Sequence, residues 1–451
     1  MKTKQLILVT LIAVVGQTVA LSAGDAVYDR LKVGSNATHV LSGTWSSIAG
    51  GQNNTNDDNY CVIAGGQANR IYAGSNAFSA ILGGRNNLIK SNSWSSVIAG
   101  GENNKIETNS PGASISGGYS CEIEYGSGAS WIGGGGGSYI GENSPYSTIG
   151  GGGGVRIEEQ AAYSTICGGW GNVIGSDTRT NWAGMAAFIG GGWANIISNY
   201  CPYSIIVGGI GNVVSSNCPF AFLGGGVGNS HATDAAVGFI GGGEANTNAA
   251  SLGTIGGGQG NLVRSTSSSI LGGQNNTNAN DAPYSAIGGG QKNSTLASYT
   301  TVPGGRDAVA SHYGQFAYSS GQIGSFGDAQ HSMYVLRGTT SSASQGELFL
   351  DGSSARMTIS SGSTWIFDIQ VVGRSSGGYS AGYKITGAID NNSGTGVSFV
   401  ITTPTTVTLG EDRTDWNATV TAENSALCIK VTGEASTNIR WVATVQTTEV
   451  Q

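Results

Sequence analysis

The chain has 451 residues with a formal net charge of -7; 77 of them are glycine and 10% are charged. Average soluble domains contain about 7% glycine and about 25% charged residues, so helical domains with charged surfaces are excluded. A hydrophobic content of 39% argues against disorder, and seven prolines exclude a collagen triple helix. The negative net charge gives no basic footprint for nucleic acid. The composition predicts an ordered, glycine-rich β structure.

The first 23 residues have the features of a secretory signal peptide. Two lysines precede an apolar run from Leu6 to Val15, and small residues suitable for cleavage follow up to Ala23. The run is too short to span a bilayer, and no later stretch has 18 uninterrupted apolar residues. We expect an exported mature chain without a transmembrane segment, secreted or held at the cell surface, with residues 24–45 as an N-terminal leader or cap.

A short repeat dominates residues 46–327. A unit of the form small-x-Ile-x-Gly-Gly-x-x-Asn recurs sixteen times, and most steps between successive glycine pairs are 17 or 15 residues. A change of two residues preserves the alternation of inward and outward side chains along a strand. Helical repeats would need about 33 residues or more. The repeat therefore predicts an all-β fold, a parallel β-solenoid of about 16 coils with 15–17 residues each.

Four positions of each coil are expected to point inward: a small residue four residues before the glycine pair, two isoleucine positions and an asparagine position. Isoleucine stands two residues before most glycine pairs and again six residues after many first glycines, which predicts two apolar ladders in the core. Asparagine stands four residues after the first glycine in twelve of the sixteen coils, including Asn54 and Asn69. Stacked asparagine side chains can hydrogen-bond along a solenoid and satisfy the amides of its turns.

The coils resemble two known kinds of protein. Their small-residue, isoleucine and glycine pattern is similar to the heads of trimeric autotransporter adhesins (YadA-like heads). The Tyr-Ser-Thr-Ile segments that begin at Tyr146 and Tyr163 resemble repeats of phage tail-fibre proteins. The first resemblance implies a left-handed β-roll in which three chains pack side by side, and thus a homotrimer.

The repeat stops near residue 328, and strand-like runs separated by turn residues follow. They predict a C-terminal antiparallel β-sandwich or jelly-roll-like domain over residues 328–451. The runs are Ser332–Arg337, Glu347–Leu350, Trp365–Val372, Ala381–Ile389, Val397–Thr402, Ala426–Thr432 and Ile439–Thr447. The segments 327–330, 332–337 and 439–443 resemble a C-terminal domain of phage fibres and bacterial repeat proteins. That resemblance implies a domain that caps the solenoid and aligns a trimer.

Two outward positions carry apolar stripes. The first stripe occupies the position five residues before the glycine pair, where many coils carry an aromatic residue: Trp45, Tyr60, Phe78, Tyr146, Tyr163, Tyr203, Phe220, Tyr284 and Tyr299. Three residues before it, a second stripe follows at 17-residue steps: Phe188, Ile205, Phe222 and Phe239. Contiguous exposed apolar stripes usually mark interfaces. They favour a homotrimer seam; a surface for a host protein or glycan receptor and packing beneath loops are the alternatives.

Cysteine and histidine offer few candidate sites. Cys201 and Cys218 are one 17-residue coil apart, so their Cα atoms are expected about 4.8 Å apart, within disulfide range. A disulfide is slightly favoured over two stacked thiols. The four histidines lack the spacing of metal ligands and are predicted to lie in loops or on the surface: His39, His231, His312 and His331.

No motif predicts catalysis, a cofactor or a metal site. Neutral asparagine ladders without carboxylates are poor calcium sites, and the glycine runs lack the lysine of a phosphate loop. The sequence thus predicts an exported, non-enzymatic, trimeric surface fibre or adhesin. The main alternative is a fibre or spike subunit of a phage or phage-like particle. An ice-binding or polysaccharide-binding solenoid is a minor alternative.

Overall fold

The structure is a computed structural model that describes residues 30–32, 38–176, 186–392, 396–400 and 403–451. The predicted signal peptide, residues 1–23, lies outside the described residues. The chain divides into two compact units, Met1–Asn195 and Ile196–Gln451, which are described separately. None of the described segments forms a helix with the length and hydropathy that a membrane crossing requires.

The first unit is a parallel β-solenoid in which every coil contributes one short strand to each of two sheets, here named side A and side B. The strands of side A are Arg30–Lys32, Ser46–Ile48, Val62–Ile63, Ala80–Ile81, Val97–Ile98, Ser114–Ile115, Trp131–Ile132, Thr148–Ile149, Thr165–Ile166 and Phe188–Ile189. The strands of side B are Val40–Leu41, Thr55–Asn56, Arg70–Ile71, Leu88–Ile89, Lys105–Ile106, Glu122–Ile123, Tyr139–Ile140, Arg156–Ile157 and Val173–Ile174.

The second unit begins with the same two-sided arrangement. Its side A strands are Ile205–Ile206, Phe222–Leu223, Phe239–Ile240, Thr254–Ile255, Ser269–Ile270, Ala286–Ile287 and Thr301–Val302. Its side B strands are Ile196–Ile197, Val213–Val214, Ser230–His231, Thr247–Asn248, Leu262–Val263, Thr277–Asn278, Ser294–Thr295 and Val309–Ala310. The predicted β-solenoid is thus confirmed.

The stacking is in register, so each sequence position of the repeat becomes a row. Ile115 pairs with Ile132 on side A, and Ile106 pairs with Ile123 on side B. These isoleucines are fully buried, as the inward ladders predict. One coil cannot bury its own apolar edge, so the stability of each coil comes from its neighbours.

The solenoid starts earlier than the repeat motif indicates. The strand Arg30–Lys32 pairs in parallel with Ser46–Ile48, and Val40–Leu41 pairs with Thr55–Asn56. Part of the predicted leader, residues 24–45, therefore belongs to the solenoid. The motif is hidden there because His39 takes the asparagine position of the coil: its Nδ1 accepts a hydrogen bond from the backbone N–H of Asn54 at 3.1 Å.

His39 and His231 correct the expectation that all four histidines lie in loops or on the surface. His39 is 5% exposed and His231 is fully buried. The Nε2–H of His231 donates to the carbonyl oxygen of Phe222 at 3.0 Å, and its Nδ1 accepts from Asn248 at 3.3 Å. Burial lowers the pKa of His231, because the charged imidazolium would lose its hydration. Both side chains occupy inward positions of coils.

In coils that carry it, the asparagine four residues after the first glycine forms a hydrogen-bonded ladder with its neighbours. The amide Nδ2 of Asn276 donates at 3.0 Å to the carbonyl of Gly272 in its own coil and to that of Gly290 in the next. Its backbone N–H donates to Asn261 Oδ1, and its own Oδ1 accepts from the backbone N–H of Asn293 at 2.9 Å. The ladder satisfies polar groups that the tight glycine corner leaves inside the coil.

The second glycine of each pair cannot be replaced by a larger residue. At Gly273 the backbone φ is +89°, and a Cβ atom would lie 2.1 Å from the carbonyl oxygen of Gly290. A side chain there would meet both the unfavourable left-handed backbone conformation and the carbonyl of the next coil. The glycine pair therefore fixes how closely successive coils stack.

The last solenoid strand, Phe316–Ser320, leads into antiparallel structure. It pairs in parallel with Thr301–Val302 and antiparallel with Ala329–Thr340. The larger antiparallel sheet contains Ala329–Thr340, Ile439–Val450, Thr364–Ser375, Ser380–Asn392, Gly396–Phe399 and Thr405–Glu411. The smaller sheet contains Gln345–Leu348, Met357–Thr358, Asn417–Glu423 and Ala426–Thr432. Side chains from both sheets share one core that includes Phe367, Trp416 and Trp441, which confirms the predicted C-terminal antiparallel domain.

Replacing a ladder asparagine should destabilise the solenoid. Asn276→Ala would leave the Gly272 carbonyl and the buried backbone N–H of Asn293 without a partner, while the Gly290 carbonyl would keep its bond from the backbone N–H of Gln274. We expect the substitution to lower the free energy of unfolding by about 2–4 kcal/mol. The matched control is Asn280→Ala, because Asn280 is exposed four residues later in the same coil. Chemical denaturation of the full chain measures both; equal effects would contradict the role of the ladder.

Candidate functional site

The first aromatic stripe lies on a corner of the solenoid. Its residues have backbone φ near +60° and are about half exposed; those with the largest exposed fractions are Trp45, Phe78, Tyr146, Phe220 and Tyr284. The rings stack in pairs within each unit: Tyr146 on Tyr163 at 5.1 Å, and Tyr203 on Phe220 at 5.2 Å between centroids. The structure therefore places four predicted site residues in two stacked pairs.

Aromatic residues are unfavourable at this backbone position. A left-handed conformation costs an L-residue about 1–2 kcal/mol, and bulky side chains adopt it rarely. Other coils place Ser95, Gly112 and Ala129 there with the same turn. Because small residues serve the turn equally well, the aromatic rings at this corner are not required by the backbone, and their contribution lies in the exposed side chain.

A shallow cleft lies along this corner in the first unit and is here named the aromatic cleft. It has a volume of about 380 Å³ and is lined by Asp58, Asn59, Tyr60, Ser75, Ala77, Phe78 and Trp94. The rings of Tyr60 and Phe78 stack at 5.5 Å between centroids. The indole of Trp94 is 53% exposed, so the cleft offers three aromatic side chains to a ligand.

Sequence reasoning missed Trp94. It stands one residue before the corner position, which is Ser95 in its coil, so it falls outside the register of the stripe. A search for aromatic residues within one position of the stripe would have found it. Tyr60 and Phe78 were within the predicted stripe.

Polar groups of the cleft are held in place by the turn. The Asp58 carboxylate accepts hydrogen bonds from the backbone N–H groups of Asn59 and Asn76, the first at 2.8 Å. The Asn59 Oδ1 accepts from both the backbone N–H and the hydroxyl of Thr44, at 2.8 and 2.7 Å. Aromatic rings beside fixed amide, hydroxyl and carboxylate groups suit a ligand with apolar faces and hydroxyl edges.

The second predicted stripe lies on the outward face of side A. Phe188 belongs to the first unit, and Ile205, Phe222 and Phe239 belong to the second. The rings of Phe222 and Phe239 stack at 5.2 Å between centroids. Among the described residues, the outward positions of the side A strands carry no charged side chain in either unit.

Side B of the first unit is charged. Ion pairs link neighbouring coils there, with Arg70 to Asp57 at 3.1 Å and Lys105 to Glu122 at 2.6 Å. Burial opposes ionisation of Glu107, but hydrogen bonds from Lys105 and Lys90 outweigh it and lower the pKa of Glu107.

Two groups of side chains lie close enough to share a metal ion: Glu107, Glu122 and Glu124, and Glu347, Glu423 and Cys428. Each already contains an ammonium group. Lys105 pairs with two glutamates of the first group, and Lys430 pairs with both glutamates of the second, including Glu347 at 2.9 Å. Lysine therefore supplies the positive charge in both.

In the structure Cys201 and Cys218 are two thiols without a disulfide bond between them, which corresponds to the alternative of stacked thiols. Both are fully buried. The Cys201 thiol donates to the carbonyl of Ser215 and the Cys218 thiol to that of Ala232, both at 2.9 Å. Each sulfur is directed at a carbonyl of the next coil, so the arrangement is the alternative of two stacked thiols.

Comparisons with known proteins give limited results. No protein-family model matches the sequence, and no curated protein matches it. A solved tailspike protein of Acinetobacter phage vB_ApiP_P1 matches with 10% identity and a TM-score of 0.23, covering 90% of this chain and 82% of its own. A tailspike of Acinetobacter baumannii bacteriophage Fri1, described as a capsular polysaccharide depolymerase, matches with 8% identity and the same TM-score, covering 90% and 69%. TM-scores this low support no conclusion about function.

The thiols can be counted by alkylation. Because none of the six cysteines, all of which the structure describes, forms a disulfide there, we expect six labels on the denatured chain without any reductant. In the native chain only Cys167 should react, since it is exposed and the other five are buried. Mass spectrometry measures both states. Four labels on the denatured, unreduced chain, rising to six after reduction, would show a disulfide.

Proposed function

We propose that this protein is a non-enzymatic attachment protein whose solenoid binds glycans at the aromatic cleft. The observation that carries the proposal is the exposed cluster of Tyr60, Phe78 and Trp94, placed beside the fixed polar groups of Asp58 and Asn59. A sugar ring has apolar C–H faces that stack on aromatic rings and hydroxyl groups that bond to amides and carboxylates.

The repeat gives this role its mechanism. Single aromatic contacts are weak, but the stacked pair of Tyr146 and Tyr163 at the same corner of the first unit offers further contacts to an extended polysaccharide. Several linked weak contacts increase overall avidity. Glycan binding of this kind would attach either a secreted or cell-surface fibre, or a fibre or spike subunit of a phage or phage-like particle, to its target. The proposal therefore concerns the attachment step, which both locations share.

Removing the indole of the cleft should weaken glycan binding. We expect Trp94→Ala to reduce the affinity for a bound polysaccharide about tenfold, equivalent to about 1.4 kcal/mol, because the largest stacking surface is lost. Affinity electrophoresis in gels containing xylan, dextran, hydroxyethyl cellulose or hyaluronate measures retardation of the full chain. Retardation by none of these polymers would count against the proposal.

Trp170→Ala is the matched control. Trp170 is an exposed tryptophan of the same unit, with 65% of its surface accessible against 53% for Trp94, but it does not line the cleft. It should leave retardation unchanged. Equal losses in both variants would show that tryptophan exposure in general, and not the cleft, determines binding.

We also propose that the protein is a homotrimer with side A at the seam between chains. Support comes from the absence of charge on the outward side A positions described above and from the stacked Phe222 and Phe239. Depletion of charged residues with aromatic enrichment is typical of interface cores. The ion-paired side B of the first unit has the opposite character.

A lysine on side A should separate the chains. Ser269 and Ser294 are partly exposed serines that point outward on side A and side B of the second unit. We expect the full chain to have three times the monomer mass in light scattering, Ser269→Lys to shift it toward one chain, and Ser294→Lys to keep the trimer. An uncompensated charge buried at the seam explains the difference. A monomeric unsubstituted chain would contradict the homotrimer.

A further inference from the structure

The outward face of the larger C-terminal sheet brings two arginines together. Arg374 on the strand Thr364–Ser375 is the direct antiparallel partner of Arg440 on Ile439–Val450. Directly opposite residues have Cβ atoms about 4.5–5.5 Å apart, and like charges in this arrangement are destabilising. Both side chains are exposed. The chain has a net charge of -7, so the pairing of two cationic residues across these strands is a local feature.

The two arginines differ from the other cationic residues of the C-terminal region. Four of those form ion pairs with acids: Arg356, Lys384, Arg413 and Lys430. Arg337 donates to two backbone carbonyls. Arg374 donates to the hydroxyl of Ser380 at 3.0 Å, and within the described ranges neither Arg374 nor Arg440 forms an ion pair. The nearby Asp412 carboxylate accepts from the backbone N–H of Ser380 at 2.7 Å.

A cavity of about 510 Å³ lies over the pair. Besides the two arginines, its lining consists of neutral residues: Thr339, Ser375, Ser376, Asn438 and Ile439. The row across the sheet runs from Thr339 through Arg440 and Arg374 to Ser380. Hydroxyl and amide donors therefore flank the two guanidinium groups, and none of the described residues that line the cavity is a carboxylate.

We propose that this cavity binds an oxyanion, the chemistry shared by carboxylate, sulfate and phosphate groups. Guanidinium groups present paired N–H donors that match the oxygens of such anions, and two of them can bind one anion from both sides. A bound anion would also offset the repulsion between the arginines. The site lies in the second unit and is independent of the glycan proposal, which concerns the first.

Calorimetric titration of the full chain tests the site. Sodium sulfate, sodium phosphate, sodium acetate and sodium glucuronate are added at constant ionic strength, with sodium chloride as the reference. We expect saturable binding of at least one oxyanion and none of chloride, with Arg374→Gln and Arg440→Gln each lowering the affinity by about fivefold or more. Tighter binding of glucuronate than of acetate would identify the anion as part of an acidic sugar; tighter binding of sulfate or phosphate would identify a tetrahedral anion.

Two controls keep the test decisive. Arg264→Gln removes an exposed arginine of the solenoid and should leave oxyanion binding unchanged. Trp94→Ala alters the aromatic cleft and should also leave oxyanion binding unchanged, because the two sites are independent. The thermal unfolding midpoints of Arg374→Gln and Arg440→Gln in chloride should equal or exceed that of the unsubstituted chain, because each variant removes the repulsion between the two arginines. Absence of saturable binding for all four oxyanions, or equal weakening by Arg264→Gln, would overturn the proposal.

Discussion

The asparagine ladder is the interaction on which both solenoid units depend. The glycine pair turns the chain so tightly that its carbonyl groups point inside the coil, and a buried polar group without a partner costs about 1–3 kcal/mol. One asparagine amide satisfies carbonyls in two coils while its oxygen accepts the backbone N–H of the next rung, as Asn276 shows. Where the ladder is interrupted, smaller groups serve in part: the Ser138 hydroxyl donates to the Gly134 carbonyl at 3.3 Å.

Because the inward positions are fixed by the ladder and the isoleucine core, the outward positions are free to differ between coils. The corner that carries Tyr60 and Phe78 is built equally well by Ser95 or Gly112. The residue type at this corner is thus decided by something other than the fold. The same reasoning applies to the two sides of the first unit: the outward positions of side B carry charged residues, whereas the described outward positions of side A carry none.

How far the sequence predicts the structure follows from which residues face inward. Inward isoleucines and asparagines recur at even-numbered distances from the glycine pairs, so the coils, the sheets and the core of the solenoid could be predicted. In the C-terminal domain, the strand Ala426–Thr432 was predicted with its observed bounds. The strand Thr405–Glu411 was missed, because every residue in it is exposed and its apolar residues are limited to Val407 and Leu409. The 17-residue spacing of Cys201 and Cys218 predicts that their coils stack, but it does not predict which way the thiols point. Each thiol donates to a carbonyl of the next coil, as the Ser127 hydroxyl does in the first unit.

In-register stacking also constrains charge. Identical positions of successive coils lie about 4.8 Å apart, so a row of like charges would repel along its whole length. The solenoid avoids this by alternating sign, as in the pairing of Lys105 with Glu122, or by using neutral amides, as in the row where Gln274 donates to Gln259 at 2.6 Å. Surface pairs of this kind contribute little stability individually; their effect is to keep the register free of repulsion. The antiparallel pair of Arg374 and Arg440 departs from that rule at a cavity without an acid, and this departure is the physical reason to expect an anion there.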